Sequence, residues 1–231
     1  MVVESFRLEV APTSVGDGGF QLLVHLNDVE MTSAGAGLGM DPYDVIIPTN
    51  RLLASSEPHT TPIARCECGI YGCGATDITI TRSGERVHWD WLYEAPMNRG
   101  VSFDAVEYAR EVDRVASDHS WETPERTAGR LILTGVDRKH LLSYGLVPVW
   151  AAQHHGHPEL FRVALQMDIG YQVFVDTPCR NRSPEYLAQA VCARLTAPPD
   201  QWDAMWHAIE PALRSKPPAI AGRHWRVFPL I

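Results

Sequence analysis

The segment with the clearest chemistry is CECGIYGCG, which begins at Cys66 and contains two further thiols, Cys68 and Cys73. Thiolates are good zinc ligands, and the glycines between them let the backbone turn tightly enough for several thiolates to converge. The segment looks like a zinc knuckle, but its spacing, C-x-C-x4-C, is incomplete. It supplies three ligands, whereas a structural zinc ion takes four. The pattern does not establish a cofactor, and a structural zinc ion is the candidate that it raises.

The fourth ligand has to come from outside the segment. His59 lies seven residues upstream of Cys66 and is the candidate metal ligand that we add to the three cysteines. His88, on a following predicted strand, offers the same imidazole chemistry. The spacing does not decide between the two histidines.

Three other interpretations of the segment stay open, and the plainest is that the thiols have no role at all. The thiols fit small buried side chains in a glycine-rich turn between two strands, and this is the interpretation that the sequence alone favours. A reversible disulfide is the third, although Glu67 between two cysteines opposes the low thiol pKa that redox chemistry needs. The chain has five cysteines, an odd number that disfavours a full disulfide framework.

Other reactive side chains form no complete motif. His154, His155 and His157 have a spacing that can bind copper, nickel or zinc, but Gly156 and Pro158 indicate a solvated surface loop. Cys179 is a candidate nucleophile only if a histidine lies near it in the fold, which spacing does not test. The catalytic residues are therefore unknown at this stage.

The composition is that of an ordinary globular protein, with 45% hydrophobic and 21% charged residues in 231. The net charge of −8 disfavours nucleic-acid binding. Residues 1–115 contain 17 acidic and 8 basic side chains, a net of −9, whereas residues 116–231 contain 11 and 12, a net of +1. A basic protein is thus a candidate partner, and solubility alone is the alternative explanation of the charge, which the composition favours. No apolar run reaches the length of a membrane span, and no secretory signal is visible, so we expect a cytoplasmic location.

The first half of the chain is predicted to form mainly strands, because apolar and polar residues alternate. The predicted strands are Phe6 to Val10, Gln21 to Leu26, Ile78 to Ile80 and Val87 to Trp91. A hairpin turn is predicted at Ser83-Gly84-Glu85, and a loop from Ser33 to Gly39 that closes at Asp41-Pro42. Helical spacing from Ala105 to Ala116 predicts a helix that Ser102 caps.

The second half is predicted to form a hairpin with helices. It begins with a short helix from Asp137 to Tyr144 that stops at Gly145, followed by a hairpin of two strands, Phe161 to Met167 and Tyr171 to Val175, around Asp168-Ile169-Gly170. The next predicted helix is capped by Ser183 and buries Leu187, Ala190, Val191 and Leu195. A further helix from Trp202 to Leu213 and an edge strand within His224 to Ile231 complete this half. The polar stretch from Trp121 to Arg130 is the candidate boundary.

These elements predict an α+β fold. Residues 1–122 form an antiparallel β-rich part with the cysteine turn and one closing helix, and residues 123–231 form a mixed part with a hairpin and helices. Whether the two parts share one core stays open.

A resemblance adds to this interpretation. The pattern C-x-C-G-x-x-G-C-G, followed by an alternating strand and then by Val87-x-Trp89, resembles a segment that recurs in uncharacterised bacterial proteins, many of them actinobacterial. It covers about residues 40–120, a third of the chain. The resemblance implies a bacterial origin and a β-rich first part, and it brings no known activity.

Two functions follow as expectations. The first is a non-catalytic intracellular protein-binding module, of the kind that immunity proteins and adaptors provide, with the acidic first part as its binding surface. The second is a metal-dependent or thiol-dependent enzyme centred on Cys66, Cys68 and Cys73. Whether the chain is an enzyme is not decided by its sequence.

Overall fold

The structure is a computed structural model, which describes residues 2–13, 19–68, 73–168 and 170–229. The chain divides into two compact units, Met1–Trp121 and Glu122–Ile231, which we call unit 1 and unit 2. Unit 1 has antiparallel sheets and unit 2 has a mixed sheet with helices, so the predicted α+β class is confirmed. The predicted boundary after residue 122 lies one residue from this division. In the described parts of the chain, no helix is long and apolar enough to cross a membrane.

Unit 1 consists of two antiparallel sheets and short helices. The elements in chain order are β1 (Phe6–Pro12), β2 (Phe20–Leu26), β3 (Val29–Glu30), α1 (Met31–Ala34), β4 (Gly37–Gly39), α2 (Pro42–Val45), β5 (His59–Cys66), β6 (Ala75–Ser83), β7 (Arg86–Tyr93), β8 (Val101–Asp104) and α3 (Ala105–Ser117). Strands β1 to β3 form one sheet, and strands β4 to β8 form a second sheet in sequence order. Strands that follow one another in sequence are therefore neighbours in the sheet, and each connection joins the adjacent ends of two neighbouring strands.

The core of unit 1 contains a cluster of aromatic side chains, two of which are joined by a hydrogen bond. The Trp89 Nε1–H donates to the hydroxyl of Tyr108 at 3.2 Å, and this hydroxyl donates to the C=O of Leu52 at 2.7 Å. The ring of Phe6 stacks on Tyr108 with centroids 5.1 Å apart. Trp89, Tyr108 and Leu52 are buried, so these hydrogen bonds satisfy polar groups that water does not reach.

The β6–β7 hairpin fixes the register of the region beside the cysteines. Ser83 pairs with Arg86, which leaves Gly84 and Glu85 as a two-residue turn, and Gly84 has φ +58°. Glycine suits such a turn because it enters the left-handed region without a steric cost. The same register places Thr76 opposite Tyr93 at the far end of the hairpin.

Unit 2 consists of a five-stranded sheet and three helices within its described residues. The elements are α4 (Pro124–Gly135), α5 (Arg138–Leu142), β9 (Leu146–His154), β10 (His157–Met167), β11 (Tyr171–Pro178), α6 (Pro184–Leu195), β12 (Met205–Ala208) and β13 (Arg226–Val227), with short 3-10 turns at Pro199–Gln201 and Pro211–Leu213. The sheet order is β13-β12-β11-β10-β9, with only β12 and β13 parallel among these neighbours. Helix α4 packs against α6 and β9.

Most predicted elements are confirmed. The strands predicted at β1, β2, β6 and β7 are present, as are the turn at Gly84, the helix α3 and the short helix α5. Helix α6 begins as predicted, because the Ser183 hydroxyl accepts from a backbone N–H of its first turn. The hairpin of β10 and β11 is present as well, although Ile169 in its turn lies outside the described residues.

The predicted cap of α3 is wrong. Ser102 lies within β8, and its hydroxyl is 2.8 Å from Nδ1 of His88. The carboxylate of Asp104 caps the helix instead, because it accepts hydrogen bonds from two backbone N–H groups of the first turn. Asp and Ser are equally good caps, so residue type alone does not separate them.

The loop predicted from Ser33 to Gly39 is also wrong in part. Helix α1 ends within it, and β4 occupies its last three residues and pairs with β5. Asp41 does not close a loop but caps α2. A glycine-rich segment can pair through its backbone alone, which composition does not reveal.

The helix predicted from Trp202 to Leu213 is wrong. Residues Met205–Ala208 form β12, which pairs antiparallel with β11. The apolar residues there have helical spacing by coincidence, and the sheet partner that decides the conformation is distant in sequence. The polar stretch from Trp121 to Arg130 contains the division between the two units, and from Pro124 onward it forms the first part of α4, which Thr123 caps.

Candidate metal centre

The cysteine segment connects two neighbouring strands of the five-stranded sheet. Cys66 is the last residue of β5, and β6 begins two residues after Cys73. The backbone N–H of Cys66 donates to the C=O of Gly74 at 2.9 Å, which closes the base of the connection. Residues 69–72, including two of the glycines in the sequence pattern, lie outside the described residues.

The structure brings the three thiols together. The sulfur atoms of Cys66, Cys68 and Cys73 all lie within 4.8 Å of one another, so the cluster can hold a metal ion. Cys66 is half-buried, and the other two are exposed. The interpretation as buried turn residues is therefore wrong for Cys68 and Cys73, although the segment does form a connection between two strands.

The thiols influence one another electrostatically. Hydrogen bonds with Cys68 and Cys66, together with the like charges of their thiolates, raise the pKa of Cys73 from 9.0 to about 11. The cause is the neighbouring thiols themselves rather than Glu67. At neutral pH a metal ion that binds here must displace protons, because thiolates are the ligands.

Neither candidate histidine joins the cluster. His59 is the first residue of β5 and Cys66 is the last, so the strand separates them by about 23 Å at a rise of about 3.3 Å per residue. The Nε2 of His59 lies 2.9 Å from the C=O of Arg51. His88 pairs with Thr81, well away from the start of β6, so neither histidine supplies the predicted fourth ligand in this arrangement.

Two carboxylates lie close to the segment instead. Glu67 packs against Gly37 of β4, where a Cβ added to the glycine would be 3.3 Å from the Glu67 Cγ. Glu94 lies against Gly74, where a Cβ would be 2.8 Å from one carboxylate oxygen and 3.2 Å from the other. Glu94 is not among the predicted site residues, although the predicted hairpin turn contained the signal. Counting back from the pair of Ser83 and Arg86 brings residue 94 opposite residue 75.

The other reactive groups in the sequence do not form comparable sites. His154 and His157 pair across the β9–β10 hairpin with ring centroids 5.0 Å apart, and His157 contacts Glu159 at 3.3 Å. Burial raises the pKa of Cys179, whose thiol donates to the C=O of Pro158 at 3.4 Å. A thiol with a raised pKa is a poor nucleophile at neutral pH.

Comparison with known proteins does not assign this chain to a family. No protein-family model, no curated protein and no solved structure matches it. The chemistry of the described residues is therefore what points to a function.

Proposed function

We propose that this protein binds zinc, and that Cys66, Cys68 and Cys73 hold the ion as a structural site at the end of the β5–β6 connection. The observation that supports this proposal is the convergence of three sulfur atoms within 4.8 Å. In a tetrahedral site with zinc–sulfur bonds of about 2.3 Å, the sulfur atoms are about 3.8 Å apart. A metal ion therefore needs to draw the sulfurs together by at most about 1 Å.

The donor set favours zinc among the common metals. Thiolates bind soft and borderline ions, whereas calcium and magnesium need oxygen ligands. Copper(I) and iron–sulfur clusters also use thiolates, so the element itself has to be measured.

The test is elemental analysis by mass spectrometry of untagged protein, after dialysis against micromolar zinc and then against metal-free buffer. We expect equimolar zinc in the wild type and its loss in Cys66→Ser, Cys68→Ser and Cys73→Ser. Cys192→Ser is the matched control, because Cys192 is half-buried in α6 and lies outside the cluster. A wild-type chain that retains no metal, with five free thiols after denaturation, contradicts the proposal.

A second candidate function is protein binding by unit 1. Its support is the charge distribution: unit 1 contains 18 acidic and 8 basic residues, a net of −10, whereas unit 2 contains 10 and 12, a net of +2. An acidic surface attracts basic partners, and salt weakens that attraction. We expect the full chain to bind a nona-arginine peptide with an affinity that falls as salt rises. No binding at low salt contradicts this candidate.

A further inference from the structure

We propose that the carboxylate of Glu94 is the fourth ligand of the metal ion held by Cys66, Cys68 and Cys73. This inference rests on the proposed zinc site and completes its coordination shell. A zinc ion with three protein ligands keeps an open position, as in catalytic sites, whereas four protein ligands make the site closed and structural. With Glu94 as fourth ligand the site is closed, which agrees with the structural role proposed above.

The backbone of Glu94 is fixed beside the cysteine segment. Its N–H donates to the C=O of Ala75 at 3.1 Å, and its C=O accepts from the hydroxyl of Thr76 at 2.7 Å. Thr76 is fully buried, so this anchor belongs to the packed part of unit 1. Ala75 is two residues from Cys73 in the chain, and the anchor thus holds the backbone of Glu94 beside the start of β6, where the cysteine segment ends.

The preceding residue turns the chain at this point. Tyr93 has φ +63°, a left-handed conformation that is costly for a bulky side chain. Its own side chain is 78% exposed and gains little from packing. Such a conformation persists only where the surrounding structure holds the backbone in place. Here the turn at Tyr93 ends β7, and Glu94 follows directly after it.

The side chain of Glu94 extends over Gly74. Both carboxylate oxygens would lie within 3.2 Å of a Cβ at residue 74, so the carboxylate occupies the space that a side chain at this position would take. In the described part of the chain, no hydrogen bond or ion pair engages this carboxylate. The side chain is exposed, and its oxygens lie outside the group of ligand atoms that converge within 4.8 Å, so it has to turn toward an ion at the sulfurs to form a zinc–oxygen bond of about 2.0–2.2 Å.

Glu67 provides the matched comparison. It lies between Cys66 and Cys68 in the sequence, but its side chain packs against Gly37 on the neighbouring strand. Two glutamates of equal charge thus lie close to the cluster with different neighbours. A general electrostatic effect on the metal involves both residues, whereas direct coordination involves only Glu94.

The experiment compares Glu94→Gln with Glu67→Gln in the full chain. Zinc affinity is measured by competition with a chromophoric chelator, and cobalt(II) absorption reports the coordination geometry. We expect Glu94→Gln to weaken zinc at least by the about 10–100-fold that loss of even an outer-shell partner costs, and to change the cobalt spectrum. Glu67→Gln leaves both close to wild type. Glu94→His, which restores a zinc ligand, recovers affinity relative to Glu94→Gln.

The outcomes separate the two proposals. If the wild type binds no zinc, the proposed function fails and the inference fails with it. If the wild type binds zinc through the cysteines, but Glu94→Gln and Glu67→Gln have equal affinities and equal cobalt spectra, only the role of Glu94 is overturned. Thermal unfolding of the metal-free variants checks that each one folds.

Discussion

The backbone N–H of Cys66 donates a hydrogen bond of 2.9 Å to the C=O of Gly74. This bond closes the base of the cysteine segment through the main chain, independently of any metal. The sulfur atoms converge on a base that the β5–β6 pairing already holds. The cysteine cluster is thus preorganised, and on the proposed function a zinc ion does not have to fold unit 1 in order to bind.

The first prediction follows from this preorganisation. Metal-free protein should unfold cooperatively, unlike small zinc fingers, which are unfolded without their metal. Zinc should then add stability by mass action, about 2.7 kcal/mol at a free concentration of about 100 Kd. Urea denaturation with a zinc buffer or a chelator measures this difference. Cys66→Ser should unfold at the same urea concentration in both conditions, and an unfolded metal-free wild type would contradict the prediction.

The second prediction concerns alkaline pH in the absence of metal. Because its neighbours raise the pKa of Cys73 from 9.0 to about 11, the folded chain holds this proton more firmly than the unfolded chain does. The resulting stabilisation is complete below about pH 9 and is lost as the pH rises toward 11. We expect the unfolding free energy of the wild type to fall more steeply over this window than that of Cys73→Ser. Parallel pH dependences of the two proteins would argue against the coupling of the thiols.

The third prediction concerns the core of unit 1. Burial raises the pKa of Tyr108, so its hydroxyl stays protonated and donates to the C=O of Leu52 while it accepts from Trp89. Tyr108→Phe leaves both buried partners unsatisfied and should cost about 1–3 kcal/mol of unfolding free energy. Urea denaturation followed by tryptophan fluorescence measures the loss. Tyr93→Phe is the control, since the Tyr93 side chain is exposed and the change should have little effect.

The sequence predicted what local patterns determine. The alternation of apolar and polar residues around Trp89 predicted β7, and the glycine at residue 84 predicted the turn before it. Both signals lie within a few residues of the element that they predict. Three cysteines in a short glycine-rich segment predicted the cluster for the same reason.

Non-local partners explain the failures. Trp206 lies in a strand because β11 pairs with it, and no residue near it in sequence encodes that pairing. His59 was chosen for its chemistry and its short distance in sequence, but an extended strand carries it away from Cys66. Glu94 is distant in sequence and close in space, and only the strand register relates it to Gly74.

The fourth prediction concerns a buried ion pair in unit 2. Arg162 binds both carboxylate oxygens of Asp176 at 2.7 Å, and their side chains are only 9% and 17% exposed. The guanidinium also lies 5.2 Å from the ring centroids of Phe174 and Phe228. Bidentate geometry and two aromatic faces compensate for the desolvation of the charge, so removal of one partner leaves a buried cation without its anion.

Asp176→Asn should therefore cost about 3–5 kcal/mol of unfolding free energy, measured by urea denaturation. The control is Asp203→Asn, because Asp203 pairs with Arg226 at 3.4 Å with both side chains largely exposed, and such pairs contribute at most about 1 kcal/mol. Replacing both buried partners, as in Arg162→Met with Asp176→Leu, removes the uncompensated charge and should recover much of the loss. If Asp176→Asn costs no more than Asp203→Asn, the buried pair does not stabilise unit 2 in this way.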